Sequence, residues 1–336
     1  MVQWVFTDLY REHRSHKETS MTQLHVVVGA GPVGSTAATR LAEQGHRVRV
    51  VTRSGSGPVR PGVECMAADA ADAPAMARLS EGASAIYNCA NPSYTTWTTA
   101  WPPLSASLLS AAEASGAVLA AVSNLYVYGP VDRPMTEQTP MCSRDSKGRV
   151  RTQMWRDALA AHQAGRVRYV EVRASDYPDA PGATSHLSRH VAALRAGRTC
   201  QVMGSPDRAH SWTATGDVVA LLLAAAADPT AYGRAWHVPS APPRTQREAL
   251  TDLAAAAGLT AAPKVRGTSP ALLRAVGLVV PVVREIAGTV YQFADDFVID
   301  DSAAREHFGL THTPWPDTVR RVLANDDAVP AARRAA

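Results

Sequence analysis

Cysteine is scarce: four residues in a chain of 336. Cys65, Cys89, Cys142 and Cys200 lie far apart and form no Cys-x-x-Cys pair, so neither a cysteine zinc site nor a disulfide framework is implied. A reducing, cytoplasmic setting is expected. Long apolar runs are absent too. The nearest candidate, 271–283, is short and bounded by Arg274 and Arg284, which excludes a spanning helix. Charge is low at 19%, while 46% of the residues are hydrophobic, which indicates a globular chain rather than a disordered one. The net charge is +4, carried almost entirely by scattered arginines without a basic block. Neither a nucleic-acid nor a membrane partner is expected, only a small-molecule substrate. Residues 1–20 are polar and lack the apolar centre of a signal peptide. They are expected to form a dispensable, disordered extension.

The most informative segment runs from Leu24 to Gly34. An apolar run, Leu24-His25-Val26-Val27-Val28, ends in Gly29-Ala30-Gly31-Pro32-Val33-Gly34 and passes into a helical pattern. In such a strand–turn–helix unit the first glycine permits the turn. The second lets the backbone approach a pyrophosphate, and the third lets the helix pack on the sheet. The free N–H groups at the helix start and its dipole then hold phosphates. A second strand, 47–52, follows the helix, as dinucleotide binding requires.

Strand patterns at 24–29, 47–52, 63–67, 85–90, 117–123 and 167–173 alternate with helix patterns at 33–44, 73–80, 102–115 and 149–164. This predicts an α/β fold, a Rossmann-type doubly wound parallel sheet. Residues 21–175 are expected to form that domain and 176–325 a smaller, partly interwoven substrate lobe. Helices are predicted in the lobe at 185–196, 216–228, 246–257, 270–276 and 316–324, with a frayed tail at 326–336. The second strand ends in Thr52-Arg53-Ser54 with no acid to bond a ribose 2′-hydroxyl. Arg53 and Ser54 suit a 2′-phosphate, so NADP(H) is favoured over NAD(H). Asp69, after the third strand, is a candidate for the adenine amino group, whereas Asp72 is the better helix cap.

Several segments, in order, resemble the extended and atypical short-chain dehydrogenase/reductases, a group that includes sugar-nucleotide epimerases and dehydratases. They are Asn88-Cys89-Ala90-Asn91-Pro92, Ser123 to Pro130 (similar to Ser-Ser-x-x-Val-Tyr-Gly), Arg173 to Gly182, Tyr291-Gln292-Phe293 and Phe308-Gly309-Leu310. The resemblance implies that Ala90, Asn91 and Ser123 line the nicotinamide pocket, and that relatives are often homodimers. It also implies a Tyr-x-x-x-Lys pair, with Tyr as acid and Lys holding the nicotinamide ribose. Here the matching stretch reads Lys147-Gly148-Arg149-Val150-Arg151, and no tyrosine occurs between Tyr128 and Tyr169.

Arg151 cannot act as a base at neutral pH but can anchor the ribose. Lys147 needs a lowered pKa to donate a proton; a solvent-exposed loop position is the plainer expectation. Asn124, at the serine position, can bond a carbonyl. Tyr126 and Tyr128 lie just past the fifth strand at the ligand-binding edge of the sheet, and either phenol is a candidate acid. Tyr94, Trp97 and Trp101, expected in a loop, are candidates to wall a flat substrate. Asp176 and Tyr177 are candidates on the nicotinamide side. His186 and His190 are spaced to share a helix face, with His210 elsewhere in the lobe, but no third ligand is evident and no metal is expected.

The leading expectation is an NADPH-dependent reductase of a carbonyl, imine or enone in a small, ring-containing substrate. A nucleotide-sugar epimerase, dehydratase or cyclase would need a basic pocket, for which Arg189, Arg195, Arg198 and Arg208 are candidates. A non-catalytic NADP-binding sensor would also have lost the Tyr-x-x-x-Lys set.

Overall fold

The computed structural model describes residues 22–181 and 185–328. Seven parallel strands form the central sheet: β1 (Leu24–Val28), β2 (Arg47–Thr52), β3 (Val63–Ala67), β4 (Ala83–Asn88), β5 (Val118–Asn124), β6 (Arg168–Ala174) and, after two lobe strands, β9 (Ala235–His237). Their order is β3-β2-β1-β4-β5-β6-β9. The chain therefore winds outward from β1 in both directions, and the switch between β1 and β4 leaves a crevice at their carboxyl ends. This is the Rossmann-type α/β fold.

Strands buried on both faces read as continuous apolar runs. On one face, Val27, Val50, Ala85 and Val172 pack against α1 (Pro32–Glu43) and α6 (Thr215–Ala227). On the other, Val26, Ile86 and Leu119 pack against α2 (Ala73–Leu79), α3 (Trp97–Ser115) and α4 (Ser146–Gln163). Each such aliphatic side chain contributes roughly 1.5–3 kcal/mol on burial. Asp72 caps α2 by accepting from Ala75 N at 3.0 Å, as its sequence position predicts.

Beyond β6 the chain builds a lobe and returns twice. α6 docks against the Rossmann core and β9 completes its sheet. The lobe has a core of its own, with Leu194, Trp212, Leu250, Leu253, Trp315 and Val319. In it, β7 (Cys200–Met203) pairs with β11 (Val265–Thr268), and β8 (His210–Trp212) with β10 (Ala241–Arg244). Its helices are α5 (Val191–Arg195), α7 (Gln246–Ala256), α8 (Pro270–Gly277), α9 (Pro281–Ala287), α10 (Tyr291–Ala294), α11 (Ser302–Phe308) and α12 (Trp315–Asp327).

Three expectations change. Helix α3 begins at Trp97, so Trp97 and Trp101 are buried helix residues one turn apart rather than loop residues. The expected 185–196 helix is only Val191–Arg195 after a short 3-10 turn, so His186 and His190 share no helix face. Helix α12 runs on to Asp327, where Asp326 and Asp327 both pair with Arg195. The extension at 1–20 and Gly182 of the Arg173–Gly182 motif lie outside the described residues. Among those described, no helix is long and apolar enough to cross a membrane.

Candidate active site

The glycine turn is sterically fixed at two of its three glycines. Gly29 has φ +97°, and a Cβ there would lie 2.8 Å from the Cys89 carbonyl oxygen. A Cβ on Gly34 would lie 2.0 Å from the carbonyl oxygen of Gly29. At Gly31 a Cβ would meet nothing within 4 Å, which leaves the start of α1 open to a phosphate. Pro32 occupies the first helical position, where no N–H is needed, and Val33 is buried in the core. A cleft of about 660 Å³ opens here, bordered by Ala30, Gly31, Ser35 and Asp179.

At the end of β2, Arg53 and Ser54 are exposed. Arg53 has no partner among the described residues, and Ser54 Oγ lies 2.8 Å from Ser56 Oγ. Asp69 is exposed and accepts from Ala71 N at 3.0 Å. Ala90 and Asn91 follow β4, with Ala90 N donating to Asn88 Oδ1 at 3.3 Å.

Two buried polar atoms at the nicotinamide end lack partners among the described residues: Ser123 Oγ and Arg151 Nε. Arg151 projects from α4 across Trp97 and Trp101, with its guanidinium carbon 4.8 and 4.3 Å from the two rings. Burial lowers its pKa, and Glu171 heads the groups opposing that shift. Among the described residues no carboxylate pairs with it directly, so a buried cation is left with spare donors. These features fit a dinucleotide cofactor. Gly31 leaves room for the pyrophosphate, and Ser123 and Arg151 offer donors toward the nicotinamide ribose.

Lys147 is not an exposed loop residue. It lies one turn before Arg151 in α4 and is 2% exposed. Its ammonium contacts the carboxylate of Glu285 in α9, donates to the Glu285 carbonyl at 3.1 Å, and sits 5.3 Å above the Tyr94 ring. Tyr94 forms part of the short turn before α3, and its hydroxyl is 2.7 Å from that of Tyr126. Burial raises the pKa of both phenols. For Tyr94 the hydrogen bond from Tyr126 and the charge of Arg151 act the other way, while Asp176 adds to the rise.

The remaining candidates divide. Tyr128 is a structural residue rather than an acid. It is buried, and its hydroxyl is held by Arg173 at 2.9 Å and His237 Nε2 at 2.7 Å. Asn124 spends its side-chain oxygen on Tyr126 N at 3.2 Å, which sets the turn that aims Tyr126. Trp97 is a core side chain whose ring supports Arg151, not a free wall. Tyr177 is half-buried, and its hydroxyl is raised chiefly by burial and opposed by Arg151. Asp176 is no mere turn cap: its carboxylate joins His186 and His210. Glu285 was not legible from sequence, since it lies 138 residues from Lys147 and carries no motif. Gln292, whose carbonyl oxygen lies 3.1 Å from His210 Nδ1, sits in a stretch that the sequence does flag.

The described groups contain no cluster of three or more His, Cys, Asp or Glu able to hold a metal. The arginines considered for a nucleotide sugar lie on the lobe surface: Arg189 and Arg198 are exposed, Arg195 pairs with Asp326 and Asp327, and Arg208 reaches Asp296 at 4.0 Å.

Residues 25–238 match the family model of the NAD dependent epimerase/dehydratase family. The chain belongs to that family. It is an NAD(P)-dependent enzyme by descent. A search of curated proteins gives no match. Among solved structures, a double mutant of the dTDP-glucose 4,6-dehydratase DesIV from Streptomyces venezuelae, with NAD bound, superimposes with a TM-score of 0.73 at 19% identity, covering 91% of this chain and 97% of that one. WbmH from Bordetella bronchiseptica, in complex with NAD+, gives 0.70 at 16% identity, covering 92% and 100%. The UDP-glucose 4-epimerase of Thermotoga maritima gives 0.72 at 16% identity, covering 90% and 99%. At these identities the likeness establishes the shared fold.

Proposed function

We propose that the protein is an NADPH-preferring reductase of a carbonyl, imine or enone in a small, ring-containing substrate, with Tyr94 as the proton donor. The observation that carries this reading is the Tyr94–Tyr126 hydroxyl contact with Lys147 over the Tyr94 ring. In this reading the Tyr126 proton goes to the Tyr94 oxygen, and the Tyr94 proton is available to the substrate. As a substrate oxygen or nitrogen takes that proton, the Tyr126 donor and the Arg151 charge stabilise the phenolate that remains. The bound dinucleotide supplies the hydride.

Arg151 holds the nicotinamide ribose from its tryptophan bed, and Ser123 adds a hydroxyl. Arg53, exposed and without a partner among the described residues, supports NADPH over NADH by offering a cation to a 2′-phosphate. The outward placement of Arg189, Arg195, Arg198 and Arg208 leaves a nucleotide diphosphate without the basic pocket it needs. The test is a fluorescence titration with NADPH and NADH, followed by NADPH oxidation against ring ketones, cyclic imines and cyclic enones. Tight NADPH binding with turnover of one class supports the reading. Binding of neither nucleotide overturns it.

A further inference from the structure

Gly216 is the second residue of α6, and two arginines from distant parts of the chain crowd it. Arg40 of α1 donates through Nη1 to the Gly216 carbonyl oxygen at 3.0 Å. A Cβ on Gly216 would meet Arg40 Nη2 at 3.1 Å and Nη1 of Arg321, on α12, at 3.4 Å. The missing side chain is thus the room in which two guanidinium groups stand. Arg40, Gly216 and Arg321 line the same cleft of about 660 Å³ as Gly31 and Ser35 at the start of α1.

Acids match this pair of cations poorly. Among the described residues no carboxylate lies within hydrogen-bond distance of either guanidinium. Asp179, which is buried, comes closest: its Oδ2 is 3.8 Å from Arg321 Nη1. Its Oδ1 is spent on Thr215, accepting from the backbone N at 2.9 Å and from Oγ1 at 2.8 Å. Asp217, the next residue of α6, gives its two oxygens to Thr313 N and Thr313 Oγ1, both at 2.7 Å. Burial raises the pKa of Asp217, which weakens it further as a counter-charge. Two like charges held against one glycine repel unless an anion stands between them.

The lobe fixes where Arg321 stands. Trp315, Val319 and Val322 of α12 are buried in the lobe core. Asn325, one turn after Arg321, donates through Nδ2 to the Asp179 carbonyl oxygen at 2.7 Å, which pins the helix to the cleft. The family match ends at residue 238, so it assigns α12 no role. We propose that Arg321 and Arg40 form a second wall of the cofactor's phosphate site. The diphosphate of the dinucleotide lies between the start of α1 on one side and the two guanidinium groups on the other. Guanidinium forks match phosphate oxygens, and the diphosphate supplies the anion that the cation pair lacks. The diphosphate is common to NADH and NADPH, so this site divides the work with Arg53, which faces only a 2′-phosphate. The proposal rests on dinucleotide binding by the family fold, not on the reductase reading.

The test is isothermal titration calorimetry of the full-length protein with NADPH, NADH and ADP, and with adenosine by competition against bound NADPH. Arg321→Ala is expected to raise the dissociation constants of NADPH, NADH and ADP alike, by at least about tenfold, and to leave adenosine unchanged. The Arg321 side chain is half exposed, so the thermal midpoint is expected to stay level. Gly216→Ala pushes on the flexible ends of both arginines rather than on backbone, and is expected to weaken the same three ligands. Arg321→Lys keeps the charge without the fork and is expected to recover part of the affinity. Unchanged affinity for NADPH and NADH in Arg321→Ala, a loss confined to NADPH, or an equal loss for adenosine would each overturn it. NADPH oxidation against ketones, imines and enones reports the reductase reading separately.

Discussion

The Tyr94 and Tyr126 hydroxyls, 32 positions apart in the chain, meet at 2.7 Å above the carboxyl edge of the sheet. One comes from the turn after β4 and the other from the turn after β5, so two neighbouring strands deliver them side by side. The family's tyrosine sits on a helix. In this chain that helix position is Lys147, whose ammonium lies over the Tyr94 ring instead. The proposed acid thus lies in a turn, and a cation occupies the helix position.

Removing the Tyr94 hydroxyl tests this arrangement directly. Tyr94→Phe keeps the ring over Lys147 and abolishes the donor, so kcat for reduction is expected to fall by about 10²–10⁴. Tyr126→Phe removes only the supporting bond and is expected to cost about tenfold. Equal effects of the two variants on kcat, measured by NADPH oxidation, would contradict their assigned order.

Arg151 is expected to hold the cofactor without holding the fold together. Its guanidinium is buried without a carboxylate partner, so Arg151→Met removes a desolvated charge and keeps most of the packing on Trp97 and Trp101. The thermal midpoint is expected to stay level or rise, while the NADPH dissociation constant increases at least about tenfold, near 1.4 kcal/mol. A lower midpoint with unchanged NADPH binding would make Arg151 a core residue.

Gly34→Ala is expected to fail for the opposite reason. Its Cβ would sit 2.0 Å from the Gly29 carbonyl oxygen, a backbone atom that cannot rotate away. The turn must open, at a cost of about 3 kcal/mol, visible as a lower urea midpoint and weaker NADPH binding. Gly31→Ala meets no protein atom. It is expected to fold normally and to lose affinity for the dinucleotide alone.

The legible part of this molecule is the part governed by local rules. The glycine turn, the six sheet strands up to β6 and the Asp72 cap depend on nearby residues and on two-sided burial, and both leave marks in the sequence. The β9 strand was not legible, because Ala235–His237 is too short to show a pattern and is a strand only through its pairing with β6. The same holds for the site. Tyr94, Tyr126, Lys147, Arg151 and Asp176 stand out as chemistry-bearing residues near strand ends. That Lys147 is buried depends on Glu285, and that Tyr128 is core depends on Arg173 and His237. Those partners come from elements that tertiary packing alone brings together.

Arg53 supplies the cofactor prediction. It stands exposed at the end of β2 with no acid beside it in the turn. Arg53→Ala is expected to weaken NADPH by tenfold or more, about 1.4 kcal/mol, and to leave NADH unchanged. The difference should shrink at high salt, since an exposed pair is screened. Equal losses for both nucleotides would place Arg53 outside the 2′-phosphate site.

Acid stability should reveal His25. This β1 side chain is buried; its Nε2 lacks a partner among the described residues, its Nδ1 is 3.4 Å from the Tyr87 hydroxyl, and its ring is 4.7 Å from that of His46. Burial first, then the neighbouring His46, lowers its pKa to about 4 from 6.5. As pH falls below 6.5 the unfolded chain takes up the proton before the folded chain does, so unfolding is favoured. The stability is complete above about pH 6.5 and drains away toward pH 4, by on the order of 3 kcal/mol for this group. His190, lowered to about 4 chiefly by burial, adds in the same direction. Urea unfolding of wild type and His25→Val at pH 7.5 and 4.5 measures the share of His25. The midpoint of the variant is expected to shift less between the two pH values, because its folded state no longer excludes that proton, and an equal shift would mean that His25 is already protonated in the fold.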